Sequence, residues 1–474
     1  MLACELFSDA AGFENTKISG ISTNSQKTKK NNVFVCLKGE TTDGHKHVEE
    51  AIKKGACIIV ASEKITSDVP VVYVEDTQTT LAILSRKFYN YPDKKLKLIG
   101  VTGTNGKTTV TFLIKSILEA YGKKTGVIGT NKCYLSNEEL EFESNMPTTP
   151  DALELAQIFD TMSKKGAEYV VMEVSSHALA LSRCLGLTFE VGVFTNLSRD
   201  HLDFHGTMAE YEAAKFRLFS QSEKGVFNTD NAAGLRMSDK CKCPHISVGF
   251  HDTDICATQV QLSADRIEFT VTEKDTEHKI ILGIPGKFSV YNALCAIGSA
   301  RMLGIEYETI SAGLASVGNV KGRVELVPTN TDYCVFIDYA HSPDGLFNIL
   351  STARGFTRGR LIVLFGCGGD RDKTKRPIMG KIASELADFS IITSDNPRTE
   401  NPISIIEDIK TGMDLGGGDY IIILNRREAI EYALTHAQKD DTILLCGKGQ
   451  ETYQIIGRKK YHFDEREIVA EILS

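Results

Sequence analysis

Leu98-Ile-Gly-Val-Thr-Gly-Thr-Asn-Gly-Lys-Thr-Thr109 is an apolar run that breaks into glycines and ends in Lys-Thr-Thr. Leu96 to Val101 predicts a buried strand, and the residues from about Val110 to Tyr121 predict an amphipathic helix. A strand, a glycine loop and a helix aim backbone N–H groups and a helix N-terminus at one point, which suits a phosphate. Lys107 adds a point charge for β- and γ-phosphates, and the Thr108 hydroxyl can reach Mg²⁺. The spacing is not that of the ordinary P-loop, because Val101 stands where its first glycine would fall. A plain glycine turn with a surface lysine is the weaker reading, since strand and helix signals flank it.

Outward from this loop, 474 residues allow about three domains with cores of their own. Charged residues make up 24% and hydrophobic ones 42%, which suits a soluble enzyme. A net charge of −8 without a Lys/Arg-rich block argues against a nucleic-acid partner. No apolar run reaches membrane-spanning length, and no signal segment precedes Cys4, so a cytoplasmic protein without membrane insertion is expected. Most of the twelve cysteines lie in apolar runs, as reduced buried thiols do. Cys241-Lys-Cys243 with His245 nearby lacks a second pair at zinc spacing.

Residues 1–94 read as an α/β segment with strands at 33–37, 57–60 and 71–74 and a helix between the first two; Pro92-Asp-Lys-Lys reads as a linker. Residues 95–325 open on the glycine loop and repeat its design. A strand over 167–174 delivers Glu173, Ser175, Ser176 and His177, and another over 190–196 delivers Arg199-Asp-His-Leu-Asp-Phe-His205. Strands alternating with helices imply a mostly parallel sheet with its ligand crevice at the carboxyl ends, on the Lys107 edge. Asp254 to Leu282 reads as a small antiparallel part. Residues 326–474 restart the pattern with five strand candidates, a Rossmann-like arrangement. No Gly-x-Gly-x-x-Gly follows its first strand, so a dinucleotide is not expected. The fold class is therefore α/β in three domains.

Thr108, Glu173 and His201 are the candidate Mg²⁺ ligands, since that ion takes few protein groups beside phosphate oxygens and water. Mg²⁺ and Lys107 would neutralise charge as a γ-phosphoryl leaves.

Gly-Thr-Asn-Gly-Lys-Thr-Thr at 103–109, Glu173-Val-Ser-Ser-His177, Thr195 to Asp203, Asn292, Gly322-Arg323, Asp338-Tyr-Ala-His341 and Gly447-Lys-Gly449 together resemble the Mur ligase family over nearly the whole chain. The resemblance implies an ATP-dependent, C–N bond-forming ligase of peptidoglycan precursor synthesis, acting as a monomer on small molecules. Within the family it points to addition of the third stem-peptide residue to UDP-N-acetylmuramoyl-L-alanyl-D-glutamate, through an acyl phosphate. It implies an ATP site of Gly103, Thr104, Asn105, Gly106, Lys107, Thr108, Thr109, Asn292, Arg323, Asp338 and His341. Ser25, Thr148, Thr149, Ser175 and Arg183 would hold the UDP-sugar dipeptide. Lys215 matches a lysine carbamylated in relatives, whereas its own stretch, Tyr211 to Phe219, reads as a solvated helix.

Asp395-Asn-Pro-Arg398 follows the strand Phe389 to Thr393 and so falls on the ligand edge. A planar guanidinium suits the second carboxylate of meso-diaminopimelate, which lysine lacks. Arg371, Asp395, Asn396, Arg398, Gly447 and Glu451 match the diaminopimelate contacts of the subfamily that adds it. Five positions depart from common family residues: Asn24 and Gln26 in Asn24-Ser25-Gln26 for Asp-Ser-Arg, Leu181 for Gln, Asn425 in Asn425-Arg426 for Asp-Arg, and Gln450 for His. The rival readings are a ligase adding L-lysine or another amino acid, a folylpolyglutamate-type ligase, a P-loop kinase, and a silent binding paralogue. Amine-dependent phosphate release separates the ligases from the last two.

Overall fold

Lys97–Thr102 is the strand on which the middle of the chain is built: in the computed structural model it lies between Phe189–Phe194 and Tyr169–Glu173, parallel to both. The structure describes residues 1–474 except 40–41, 131, 143–147, 264–265 and 319–320. Successive residues of the strand point to opposite faces, so Ile99 and Val101 join one core and Leu98 the other. The first core is filled by the helices Lys107–Ala120 and Lys287–Met302, the second by Ala152–Lys164. Burial on both faces is why the strand reads as one apolar run rather than an alternation.

This sheet has eleven strands. Its parallel centre is extended on one side by Ile255–Leu262, Ile267–Glu273 and Thr276–Leu282, the last two antiparallel to their neighbours, which is the small antiparallel part expected. On the other side a hairpin, Lys132–Leu135 and Glu138–Leu140, was not foreseen. Four parallel strands between Gly20 and Tyr73 form the N-terminal sheet. Six strands between Glu325 and Cys446 form the C-terminal one, all parallel except Glu325–Val327 at its edge. Among the described residues no helix is long and apolar enough to cross a membrane.

Three details differ from expectation. The helix after the glycine loop begins at Lys107, not near Val110, because Thr108 and Thr109 are buried by the site rather than by apolar periodicity. Pro92–Lys95 is a short 3₁₀ turn whose buried Asp93 takes two hydrogen bonds from Arg86, at 3.1 and 2.7 Å, so it is packed and not a loose linker. The strand expected over Tyr420–Leu424 stops at Ile422. All twelve cysteines are free thiols.

Candidate active site

The carboxyl ends of three adjacent strands converge on the glycine loop. Gly106 caps the helix Lys107–Ala120 at φ +85° with no side-chain cap, so the first N–H groups of the helix face outward. A Cβ at this position would lie 2.3 Å from Asn292 Oδ1, so no other residue fits. Asn292 is itself buried, on the helix Lys287–Met302. The loop is held by its neighbour strand: Asn105 N–H donates to Asn196 Oδ1 at 2.9 Å, and Thr104 N–H to Asn196 O at 2.9 Å.

Lys107 folds back on its loop, donating to Gly103 O and Thr104 O, both at 2.9 Å. Burial lowers its pKa, and Arg323 adds to that against the opposing pull of Glu173. Lys215 corrects the expectation of a solvated lysine. It is 1% exposed, donates to Gly103 O at 2.8 Å and lies over the Tyr211 ring at 4.5 Å. Burial, reinforced by Lys107, holds its pKa far below the usual lysine range. A pKa shifted in that direction favours the neutral amine, the form that takes up carbon dioxide.

Thr108 donates to Glu173 Oε1 at 2.9 Å, and Thr130 holds the same carboxylate through N–H and hydroxyl at 3.1 and 3.2 Å. His201 sits at φ +53°, edge-on to His177 with ring centroids 4.9 Å apart. Burial lowers its pKa against the opposing pull of Asp200, with Lys107 and Lys215 acting in the same direction as burial, which favours the neutral imidazole that can ligate. The Thr108 hydroxyl and Glu173 carboxylate supply the hard oxygen donors that fit Mg²⁺, and the His201 imidazole would add a borderline nitrogen. Beside them Thr149 accepts from Ser175 N–H at 2.9 Å, Arg183 donates to Thr149 O at 2.9 Å, and Thr148 accepts from Thr130 at 3.3 Å.

Across from the loop, the C-terminal sheet supplies the second wall of a crevice of about 690 Å³, lined by Asn105, Gly106 and Thr109 on one side and by Asp338, Tyr339 and His341 on the other. Asp338 accepts from Val324 N–H and Ala340 N–H, each at 2.8 Å; burial raises its pKa. Arg323 spans the two walls, its guanidinium 4.7 Å from the Tyr339 ring and donating to Thr108 at 3.1 Å. Burial and Lys375 lower the pKa of His341. The volume and the mixed lining suit a nucleotide.

Farther along the same wall, Asp395 and Asn396 are buried, Arg398 is half-buried and donates to Gly369 O at 2.8 Å, and Asn396 Nδ2 donates to Glu451 at 2.8 Å. Burial works to raise the Asp395 pKa, but Lys448 and Arg426 overcome it and hold the carboxyl below its usual range. Gly447 N–H donates to Asp338 O at 3.0 Å, joining this cluster to the crevice. Arg371 is exposed and donates only to its neighbour's carbonyl, Asp370 O, at 2.9 Å. Ser25 opens the 3₁₀ turn Ser25–Lys27 after the first strand of the N-terminal sheet, buried and donating to Glu50 at 2.6 Å.

Residue matches now decide the kinship. The chain matches the family description "Mur ligase middle domain" over residues 101–300, "Mur ligase, glutamate ligase domain" over 322–449, and "Mur ligase family, catalytic domain" over 17–89. It belongs to the Mur ligase family. Among curated Mur ligases it is 48% identical to the UDP-N-acetylmuramoyl-L-alanyl-D-glutamate–2,6-diaminopimelate ligase of Caldanaerobacter subterraneus, over 98% of this chain and 96% of that one. It is 45% identical to ligase 1 of the same name from Clostridium acetobutylicum, over 97% and 95%. A solved structure of a ligase with that name superposes with a TM-score of 0.69 at 29% identity, covering 98% of this chain and 96% of the other. The MurF ligase of Thermotoga maritima shares the Mur ligase fold at a TM-score of 0.67 and 19% identity, with 97% of each chain covered.

Several site residues escaped the reading of the sequence. Thr130 ends the strand Thr125–Gly129 on the ligand edge, so the edge rule could have found it. Tyr211 carries no local signal, and Lys448, quoted within Gly447-Lys-Gly449, was given no role because its contact to Asn396 comes from 52 residues away. Gln450, a departure from the common family residue, donates across the crevice to Thr130 O at 2.8 Å.

Proposed function

We propose that this Mur ligase joins meso-2,6-diaminopimelate to the D-glutamate carboxylate of UDP-N-acetylmuramoyl-L-Ala-D-Glu, with ATP cleaved to ADP and phosphate. The work belongs to peptidoglycan precursor synthesis in the cytoplasm, and hence to cell-wall growth and division. The observation that carries the reading is the gathering of Asp395, Asn396, Arg398 and Glu451 in one cluster, joined through Gly447 to the nucleotide-sized crevice. Whole-length identity of 48% to a ligase named for this reaction supports it.

In this scheme residues 1–94 bind the UDP moiety, 95–325 the nucleotide and 326–474 the amino acid. A carboxylate oxygen of the substrate attacks the γ-phosphorus, and the bond to ADP breaks. Lys107 and the outward N–H groups of its helix hold the phosphoryl oxygens, while Arg323 keeps Thr108 and Tyr339 aligned across the crevice. The incoming amine, after losing a proton, attacks the acyl carbon; the C–N bond forms and phosphate leaves. Thr108, Glu173 and His201 would hold Mg²⁺, which when bound supplies charge neutralisation at the phosphates. Thr148, Thr149, Ser175 and Arg183 bind the dipeptide end, and Asn292, Asp338 and His341 the nucleoside end. Arg398 pairs with the distal carboxylate of the diamino acid, with Arg371 on the exposed side.

An assay of phosphate release crossing UDP-sugar peptides with amino acids tests this. Release should require both the dipeptide substrate and meso-diaminopimelate, with product mass rising by the amide. L-lysine should be worse by at least about a hundredfold in kcat/KM. Equal use of the two amino acids overturns the assignment.

A further inference from the structure

Lys448 is fully buried, and its ammonium meets three acceptors: Asn396 Oδ1 at 2.7 Å, Tyr453 O at 2.8 Å and Glu451 Oε2 at 3.2 Å. Three protons and three acceptors leave nothing to offer a ligand. Its influence must therefore pass through its partners. We propose that Lys448 is the positioning residue of the amino-acid site, fixing which end of the Asn396 amide, and which oxygen of Glu451, faces the incoming diamino acid.

An amide side chain has two nearly isosteric orientations, chosen by its hydrogen bonds. At Asn396 two donors approach the same atom: Lys448 Nζ, and Ile455 N–H at 2.9 Å. Neither can accept, so the atom they share is the carbonyl oxygen and Nδ2 is driven the other way. Nδ2 then donates to Glu451 Oε2 at 2.8 Å. That oxygen is thus held twice, by Nδ2 and by Lys448, and Oε1 faces a ligand's ammonium with the Tyr453 hydroxyl beside the same carboxylate. Ile455 belongs to the hairpin Tyr453–Ile456 with Lys459–His462, whose Ile455 O also takes the Arg398 N–H at 3.1 Å. One short ladder thereby sets both the group meant for an ammonium and the backbone of the group meant for a carboxylate.

Charge points the same way. Arg426 is spoken for by Glu465, an ion pair at 2.7 Å with both side chains fully buried. Lys448 hydrogen-bonds Glu451 and, with Arg426, holds the Asp395 carboxyl below its usual range, so it is the cation shared by both carboxylates. Without Lys448 the amide keeps only the Ile455 N–H to fix its carbonyl end, and the two carboxylates lose the cation they share.

This inference rests on the proposed amino-acid specificity, and the two fail differently. A wild type that does not saturate with meso-diaminopimelate ends that reading before any variant is made. Given saturation, Lys448→Met should raise KM for meso-diaminopimelate about thirtyfold or more, with KM for ATP and kcat each within about threefold. Because Lys448 acts through Asn396, adding Lys448→Met to Asn396→Ala should cost less than about threefold further. A diaminopimelate KM within about twofold of wild type for Lys448→Met overturns the proposal, as do fully multiplicative effects in the double variant. Should Lys448→Met not fold, Asn396→Asp decides. It keeps Lys448 paired but replaces the donor to Glu451 with an acceptor, and should raise the same KM at least as much as Asn396→Ala; a KM near wild type overturns the proposal.

Discussion

Lys215 and Lys448 are both buried lysines within the candidate site, and they are buried in opposite ways. Lys215 has a carbonyl and an aromatic ring for company and a second lysine, Lys107, close enough to depress its pKa. Lys448 has a full set of acceptors, one of them a carboxylate. Around the glycine loop Lys107 and Arg323 hydrogen-bond to carbonyls and a hydroxyl, an arrangement that suits a ligand bringing negative charge. The amino-acid side has its hydrogen bonds arranged in advance around two carboxylates and the half-buried Arg398 guanidinium. Each half presents the complement of what it would receive, and neither could serve the other's ligand.

The largest effect tests the phosphate half. Lys107→Ala should cut kcat by about a thousandfold or more with an unchanged thermal midpoint, because its charge has work only when phosphate is present. Retention of more than about a tenth of wild-type kcat would show that the cation-rich side is not where phosphate sits.

Next in size is Lys215→Ala, expected to lose about a hundredfold and to regain part of it when short-chain carboxylates are supplied in place of a carbamate. Intact-mass measurement of the active wild type provides the check; a plain, unmodified lysine there removes this difference between the two lysines.

On the other half, Arg398→Ala should erase most of the preference for meso-diaminopimelate over L-lysine, a change of about a hundredfold in the kcat/KM ratio. An unchanged ratio would move specificity elsewhere in the cluster.

The smallest effect concerns stability. Burial, then His177 and Lys215, push His205 from 6.5 down to about 4. The unfolded chain therefore takes up this proton at higher pH than the folded one, so stability is full above about 6.5 and declines as pH falls toward 4. His205→Gln should flatten that decline, by at most about 1.4 kcal/mol per pH unit. Urea unfolding of both proteins at pH 7 and pH 5 measures it; parallel losses would mean that the cation-rich face carries no acid-sensitive cost.

The phosphate half was legible in the sequence because its signal is contiguous. Gly103 to Thr109 encode the loop, and strand alternation puts Glu173 on the same edge. Lys215 was misread for the converse reason. Its helix is short and polar, and what covers it is the carbonyl of Gly103, 112 residues away. The amino-acid half is scattered over 395–398, 447–451 and the hairpin after Tyr453, so only the family resemblance gathered it. No local rule reveals that Asn396 takes its polarity from Lys448. The departure at Gln450 looked incidental until the fold showed it reaching Thr130.

One turn lies between the halves. Gly322 adopts φ +70°, and a Cβ there would fall 2.1 Å from the Gln450 nitrogen, so the chain presses directly on the end of the loop that carries Gly447 and Lys448. Its neighbour Arg323 reaches Thr108 at the start of the phosphate helix. A ligand that stiffens the 447–451 loop therefore works on the same pivot as one that seats against Thr108. Thermodynamic reciprocity sets the terms of any traffic through this pivot: whatever factor one ligand imposes on the Kd of the other, the second must return.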